Sequence, residues 1–166
     1  MASVIKCDTL KSTTGNTAIT ISESGVPQLS LPMFSARLLT EQNITSNSVG
    51  TVLLNEIYDS NNWYNPSTGV FSPTTPGYYQ LNATIEYRAS SGLTRIIARL
   101  QDEDDVYLYG SDVLAGSSGV GRVSVSALHY FNGTSNTIEL SYYGTGTSIK
   151  VGEDLTVFSG FLVRAA

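Results

Sequence analysis

Few side chains in this sequence could do covalent chemistry. His129 is the single histidine and Cys7 the single cysteine. Nucleophilic catalysis needs a base within reach of a hydroxyl or thiol, with a third group to orient that base. His129 lies between Leu128 and Tyr130-Phe131, where an imidazole packs into a core or interface more readily than it serves as a base. Cys7 has no partner for an intrachain disulfide and reads as a small packing residue. Glycoside hydrolysis needs two positioned carboxylates. Glu86, Asp102, Glu103 and Asp112 could supply them, yet nothing in the spacing selects a pair. No enzyme is therefore expected.

Two groups could bind without reacting. Asp102-Glu103-Asp104-Asp105 is the one dense acidic cluster, and hard cations want several oxygens on one loop. Its spacing does not match an EF-hand, so Asp102, Asp104 and Asp105 are weak Ca²⁺ candidates, and a solvated hairpin turn is the plainer reading. No other cofactor is expected. The second group is aromatic: Trp63, Tyr64, Tyr107, Tyr109, Tyr142 and Tyr143. Trp63 follows Asn61-Asn62 in a polar loop, where a ring can stack on a saccharide. Trp63 and Tyr64 are thus the expected ligand contacts, against the alternative of rings packed over a domain rim.

The elements that must position these groups are strands. The 166 residues suffice for one domain with a core. Only 14% are charged, while Gly (15) and Tyr (10) are plentiful, a balance that suits pleated strands and tight turns. The net charge is −5, and no two basic residues are adjacent, so nucleic acid is not an expected partner. No apolar run approaches the roughly 18 residues of a membrane span, and no membrane insertion is expected. Met1–Asp8 lacks the charged-then-apolar pattern of a secretory leader.

Two textures divide the chain. Residues 1–33 read as an extended N-terminal arm. Val4-Ile5 and Ala18–Ser22 are short strand-like pieces around the turn-rich Ser12–Thr17, and Gly25-Val26-Pro27 and Leu31-Pro32 break any regular element. The arm holds too few large apolar residues to bury a core alone and must dock on a partner or remain flexible, with Ile5, Ile19 and Ile21 as the expected docking residues. Residues 34–166 read as a β domain of about eight to ten antiparallel strands. The pattern predicts strands over Phe34–Leu39, Thr51–Tyr58, Tyr78–Arg88, Thr94–Gln101, Val106–Gly110, Val120–Phe131, Thr137–Tyr143 and Leu155–Val163. Tyr78–Arg88 alternates cleanly, with Leu81, Ala83, Ile85 and Tyr87 inward and Gln80, Asn82, Thr84 and Glu86 outward. Leu155–Val163 is apolar on both faces, which predicts a central strand or one covered by another subunit.

The segment Tyr64-Asn65-Pro66-Ser67-Thr68-Gly69-Val70-Phe71, continuing to Pro76-Gly77-Tyr78-Tyr79, resembles the central signature of the C1q/TNF-like jelly-roll family. Phe158-Ser159-Gly160-Phe161-Leu162 resembles that family's closing strand, and Val123–Leu128 the strand before its last hairpin. Leu81 stands where the family usually has Phe, Thr134–Thr137 replaces its usual Gly-Asp turn, and no collagen-like stalk is present. The resemblance implies an all-β jelly-roll sandwich and a homotrimer, with Phe71, Tyr79, Phe158 and Phe161 as core or trimer-interface anchors. Residues 7–27 resemble the leaders of bacteriophage fibre, collar or head-decoration proteins. That second resemblance implies a virion-surface protein whose arm docks on other virion proteins by strand addition. It would then decorate the capsid or bind host surface polysaccharide or protein. The alternative is a free soluble C1q-like lectin or ligand-binding protein.

Overall fold

The computed structural model describes residues 9–11, 17–29, 31–102, 104, 107–113, 119–153 and 155–166. Every regular element among them is a strand. The chain falls into two compact units, Met1–Leu31 and Pro32–Ala166.

In the first unit, β1 (Thr9–Lys11), β2 (Thr17–Ile21) and β3 (Pro27–Leu29) form an antiparallel sheet in that order. Gly25, at φ 78°, turns the chain between β2 and β3, and its N–H donates to the Ser22 carbonyl at 2.8 Å. The expected break at Gly25-Val26-Pro27 is therefore only a turn. Pro27 opens β3 on a sheet edge, where a missing N–H is tolerated. Ile19 and Ile21 are half-buried on the central strand. Val4-Ile5, and with it Ile5, lies outside the described residues.

The second unit contains β4 (Met33–Arg37), β5 (Gln42–Asn43), β6 (Ser48–Thr51), β7 (Asn55–Asp59), β8 (Tyr64–Asn65) and β9 (Val70–Phe71). The longer strands follow: β10 (Gly77–Asp102), β11 (Tyr107–Val113), β12 (Gly119–Phe131), β13 (Ile138–Val151) and β14 (Val157–Ala165). β10 builds both layers. Its first half pairs with β14 and β12, and its second half with β13 and β11. The first layer runs β7-β4-β14-β10-β12, and the second gathers β11, β10 and β13 with β5, β6, β9 and β8.

The two strands expected over Tyr78–Arg88 and Thr94–Gln101 are thus one, interrupted by a register shift against β13 between Ser91 and Arg95. The strand expected over Thr51–Tyr58 is instead divided, because Val52 and Leu54 turn into the core between β6 and β7. β13 runs on past Tyr143 to Val151.

Alternation decides what is buried. Leu81, Ala83 and Ile85 face inward opposite Ala127, Val125 and Val123. Phe34 stacks on Phe71 at 4.1 Å and meets Phe158 edge-on at 4.9 Å, while Phe71 and Tyr79 both pack edge-on against Phe131. Such pairs add about 0.5–1.5 kcal/mol each beyond the area they bury. Two glycines of the Tyr64–Tyr79 segment make this possible. Gly69 sits at φ 77°, in the left-handed region that side chains resist. At Gly77 a Cβ would collide with the Arg164 carbonyl oxygen, so only glycine lets β10 and β14 close there.

Candidate functional site

Asn61–Tyr64 forms a clamped loop. The Asp59 carboxylate accepts from the Trp63 and Tyr64 N–H groups, both at 2.6 Å, and from the Asn61 N–H at 3.0 Å. Asn62 adopts φ 57°, a conformation asparagine tolerates better than most. The clamp sends the two rings to different fates. Trp63 is half-buried and packs edge-on against Phe71 at 6.4 Å and Tyr79 at 6.3 Å. Tyr64 is 4% exposed, and its hydroxyl lies 3.3 Å from the Leu54 N–H, from which it accepts. Burial pushes the Tyr64 hydroxyl up to about 12. Tyr64, offered by the sequence as a ligand contact, is therefore placed in the core, because the Asp59 clamp turns it under the rim.

The acidic cluster is a connection. It joins β10 to its antiparallel neighbour β11, with Gln101 opposite Tyr107, and the Asp104 N–H donates to Asp102 Oδ1 at 3.1 Å. That is a side-chain-stabilised turn. Asp105 lies outside the described residues, and no group of three metal-binding side chains occurs among the described ones. His129 packs edge-on against Phe131 at 4.8 Å.

Of the four expected anchors, Phe71, Tyr79 and Phe158 are buried in the core, whereas Phe161 is 43% exposed. β14 is a central strand, between β4 and β10. Its Phe158 and Leu162 face the core, and its Phe161 and Val163 face away. Phe161 stands opposite Met33 on one side and Gln80 on the other, with Leu128 next to Gln80. Tyr78 and Tyr130 pair beside them, ring centroids 5.3 Å apart. An apolar patch thus crosses β4, β14, β10 and β12 on the open face of the first layer. Further along that face the side chains become hydroxyls and amides. Gln80 Nε2 donates to Ser126 Oγ at 2.9 Å, Ser126 Oγ donates to Asn82 Oδ1 at 2.9 Å, and Thr84 and Ser124 share a bond of 2.8 Å.

The face ends in a charge network. Glu86, placed outward by alternation, is only 3% exposed. Arg88 donates to its Oε1 from Nε at 3.0 Å and Nη2 at 2.9 Å, and Arg122 Nε approaches its Oε2 at 3.5 Å. Arg88 Nη1 also reaches Glu41 at 2.9 Å, and Lys150 Nζ meets the other Glu41 oxygen at 2.8 Å. The hydrogen bond from Lys150, helped by Arg88, holds the Glu41 carboxyl below its ordinary value. Gly152 leaves room for the pair, since a Cβ there would lie 2.6 Å from Glu86 Oε1. Two carboxylates committed to cations in this way brace the sheet and are not arranged as an acid–base pair.

The layer order and the long shared strand match known folds. The globular domain of zebrafish complement 1qA superposes with a TM-score of 0.63 at 19% identity, over 81% of this chain and 99% of that one. Murine APRIL gives 0.64 at 7% identity, over 81% of this chain and 100% of the other. Eiger TNF from S. frugiperda gives 0.61 at 10% identity, over 82% and 94%. The fold is a C1q/TNF-like jelly roll. No protein-family model and no curated protein matches the chain. The jelly roll keeps the aromatic anchors of the expected signature but closes one turn differently. At Thr134–Thr137, Asn132 Oδ1 accepts from the N–H groups of Thr134, Ser135 and Asn136 within 3.2 Å, doing with a side chain what a Gly-Asp turn does with backbone freedom.

Proposed function

We propose that this chain is a non-enzymatic structural protein of a phage virion, a homotrimeric jelly-roll appendage attached through its N-terminal unit. The jelly roll faces solvent, where it decorates the capsid or binds the host surface. The observation that carries the trimer is the open face of the first layer. Met33, Phe161, Leu128, Tyr78 and Tyr130 form one apolar surface across four strands, next to a row of hydroxyls and amides that can pair across a subunit boundary. Contiguous apolar surface of this kind marks an interaction site, and closed symmetry buries it without leaving an open end. Support for the non-enzymatic reading comes from the engagement of Glu41 and Glu86 in ion pairs and of His129 against Phe131. The virion reading rests on the resemblance carried by residues 7–27.

Sedimentation velocity tests the assembly. The wild-type protein should run as a trimer, and Phe161→Arg as a folded monomer with an unchanged circular dichroism spectrum. A wild-type monomer at micromolar concentration would overturn the reading. Antibody labelling of particles by electron microscopy tests the location. Label absent from intact virions would refute it.

A further inference from the structure

The N-terminal unit has an apolar face with no second layer of its own. Its strands β1, β2 and β3 form one sheet, and the registers sort their residues between its two sides. Leu10 stands opposite Ile19, and Ile21 opposite Pro27, so these four share a face. Thr9, Thr20 and Gln28 align across the other face. One side is therefore apolar, and the other carries hydroxyls and an amide. Of the charged residues described in this unit, Lys11 ends β1 and Glu23 sits in the turn before β3, both exposed. No described charge falls in the rows Leu10–Ile19 and Ile21–Pro27, so two copies of this face can meet without repulsion.

A sheet with one apolar side must bury it against another layer. Leu10 is nevertheless 49% exposed, and Pro27 is exposed as well. Among the described residues, no further strand before Pro32 can supply the missing layer.

Connectivity points to the partner. The unit ends at Leu31 and the jelly roll begins at Pro32, with no linker between them. The Pro32 carbonyl accepts from the Leu162 N–H at 2.9 Å, and the next residue, Met33, stands opposite Phe161. The point where the chain enters the jelly roll is thus pinned beside the apolar patch of the first layer. Copies joined at that patch carry their N-terminal sheets on tethers of almost no length. A row of four apolar residues is too small to hold free partners together. Short tethers change this, because they raise the effective concentration of one sheet for the next to about the millimolar range.

We infer that the apolar faces of three N-terminal sheets pack against one another, in a three-sided prism whose outer surface is the Thr9–Thr20–Gln28 side. The partner of each sheet is the same sheet in the other copies of this chain, and closed symmetry buries all three faces at once. This contact rests on the trimeric reading and adds a second interface to it, made by β1, β2 and β3. The outer edges of β1 and β3 stay outside the packed faces, open to strand addition by another protein.

Nitroxide labels on the full chain test the contact, in a Cys7→Ser background so that each added cysteine is the only one. Leu10→Cys puts the label on the apolar face, at an exposed position of an outer strand. Thr9→Cys puts it on the opposite face. Packed sheets lie about 10 Å apart, so Leu10→Cys labels should broaden one another's electron paramagnetic resonance spectra. Mixing with excess unlabelled chain should remove the broadening, and Thr9→Cys labels should stay narrow throughout. Sedimentation is run on the same samples. A trimer with narrow Leu10→Cys spectra overturns the prism and leaves the trimeric reading standing, since the sheets then face some other surface. A trimer broadened equally at both positions also overturns the prism, because neither face is selected. A monomer overturns the trimeric reading and the prism with it.

Discussion

Phe71 sits at the centre of the aromatic cluster, touching Phe34, Trp63, Tyr79 and Phe131. Its truncation in Phe71→Ala should cost about 3–5 kcal/mol, the usual range for a buried aromatic, read from the denaturation midpoint at constant slope. Tyr64 and Tyr79 make a second test. Burial raises both hydroxyls to about 12, above the ordinary tyrosine value of about 10. A raised folded-state value means that their contribution is complete below pH 10 and is lost as pH rises toward 12. An alkaline unfolding titration should show that loss, and Tyr64→Phe should reduce its slope. The sequence made the aromatic anchors legible because their spacing from Gly69 and Gly77 is tied to turn geometry. It could not separate Trp63 from Tyr64. Which neighbour turns inward depends on the Asp59 clamp, and a carboxylate accepting three backbone N–H groups leaves no periodic trace.

Strands were legible wherever one face met the core and the other met water. β12 kept its expected start and end to within a residue because Val123, Val125 and Ala127 alternate with Ser124 and Ser126. Legibility failed where alternation was disturbed by a third partner. Glu86 occupies an outward position on β10 yet is covered by Arg88, Arg122 and the Gly152 backbone, and its ion-pair partner Arg122 and the covering Gly152 stand 36 and 66 residues further along the chain. The Thr51–Glu139 hydrogen bond on the second layer was hidden for the same reason. Glu139 and Thr51 look like ordinary solvent-side residues until β6 is laid beside β13. For the network the expectation is sharp. Glu86→Ala removes the shared partner of two guanidinium groups that are 30% and 56% exposed, and should destabilise the jelly roll by about 1–2 kcal/mol, well under the cost for a fully buried pair. Thermal and urea unfolding would show it, and a loss below 1 kcal/mol would mean that water replaces the carboxylate freely.

The whole molecule divides between an N-terminal unit and a jelly roll whose core residues all fall between Phe34 and Leu162. A chain reduced to residues 32–166 should therefore keep its melting temperature within a few degrees, the shift equivalent to under ~1 kcal/mol. If the proposed assembly holds, it should sediment as a trimer and lose only attachment and the contacts between N-terminal sheets. Loss of the trimer on truncation would place assembly in the N-terminal unit instead. The jelly roll was legible at this scale because two aromatic-glycine signatures some 80 residues apart lie on strands that meet. Tyr79 and Leu162 are direct partners across β10 and β14. The same pairing carries a consequence for biosynthesis. The centre of the first layer is supplied by the jelly roll's own last strand, β14, with Gly77 opposite Ala165, and β10 commits its other half to the second layer. The first layer cannot close while residue 165 is still inside the ribosome. Folding of the jelly roll must therefore wait for β14, is dominated by contacts distant in sequence and is correspondingly slow. During that interval Met33, Tyr78, Leu128 and Tyr130 are exposed on nascent chains, so most of the surface proposed for assembly is also the one that folding helpers would first need to shield.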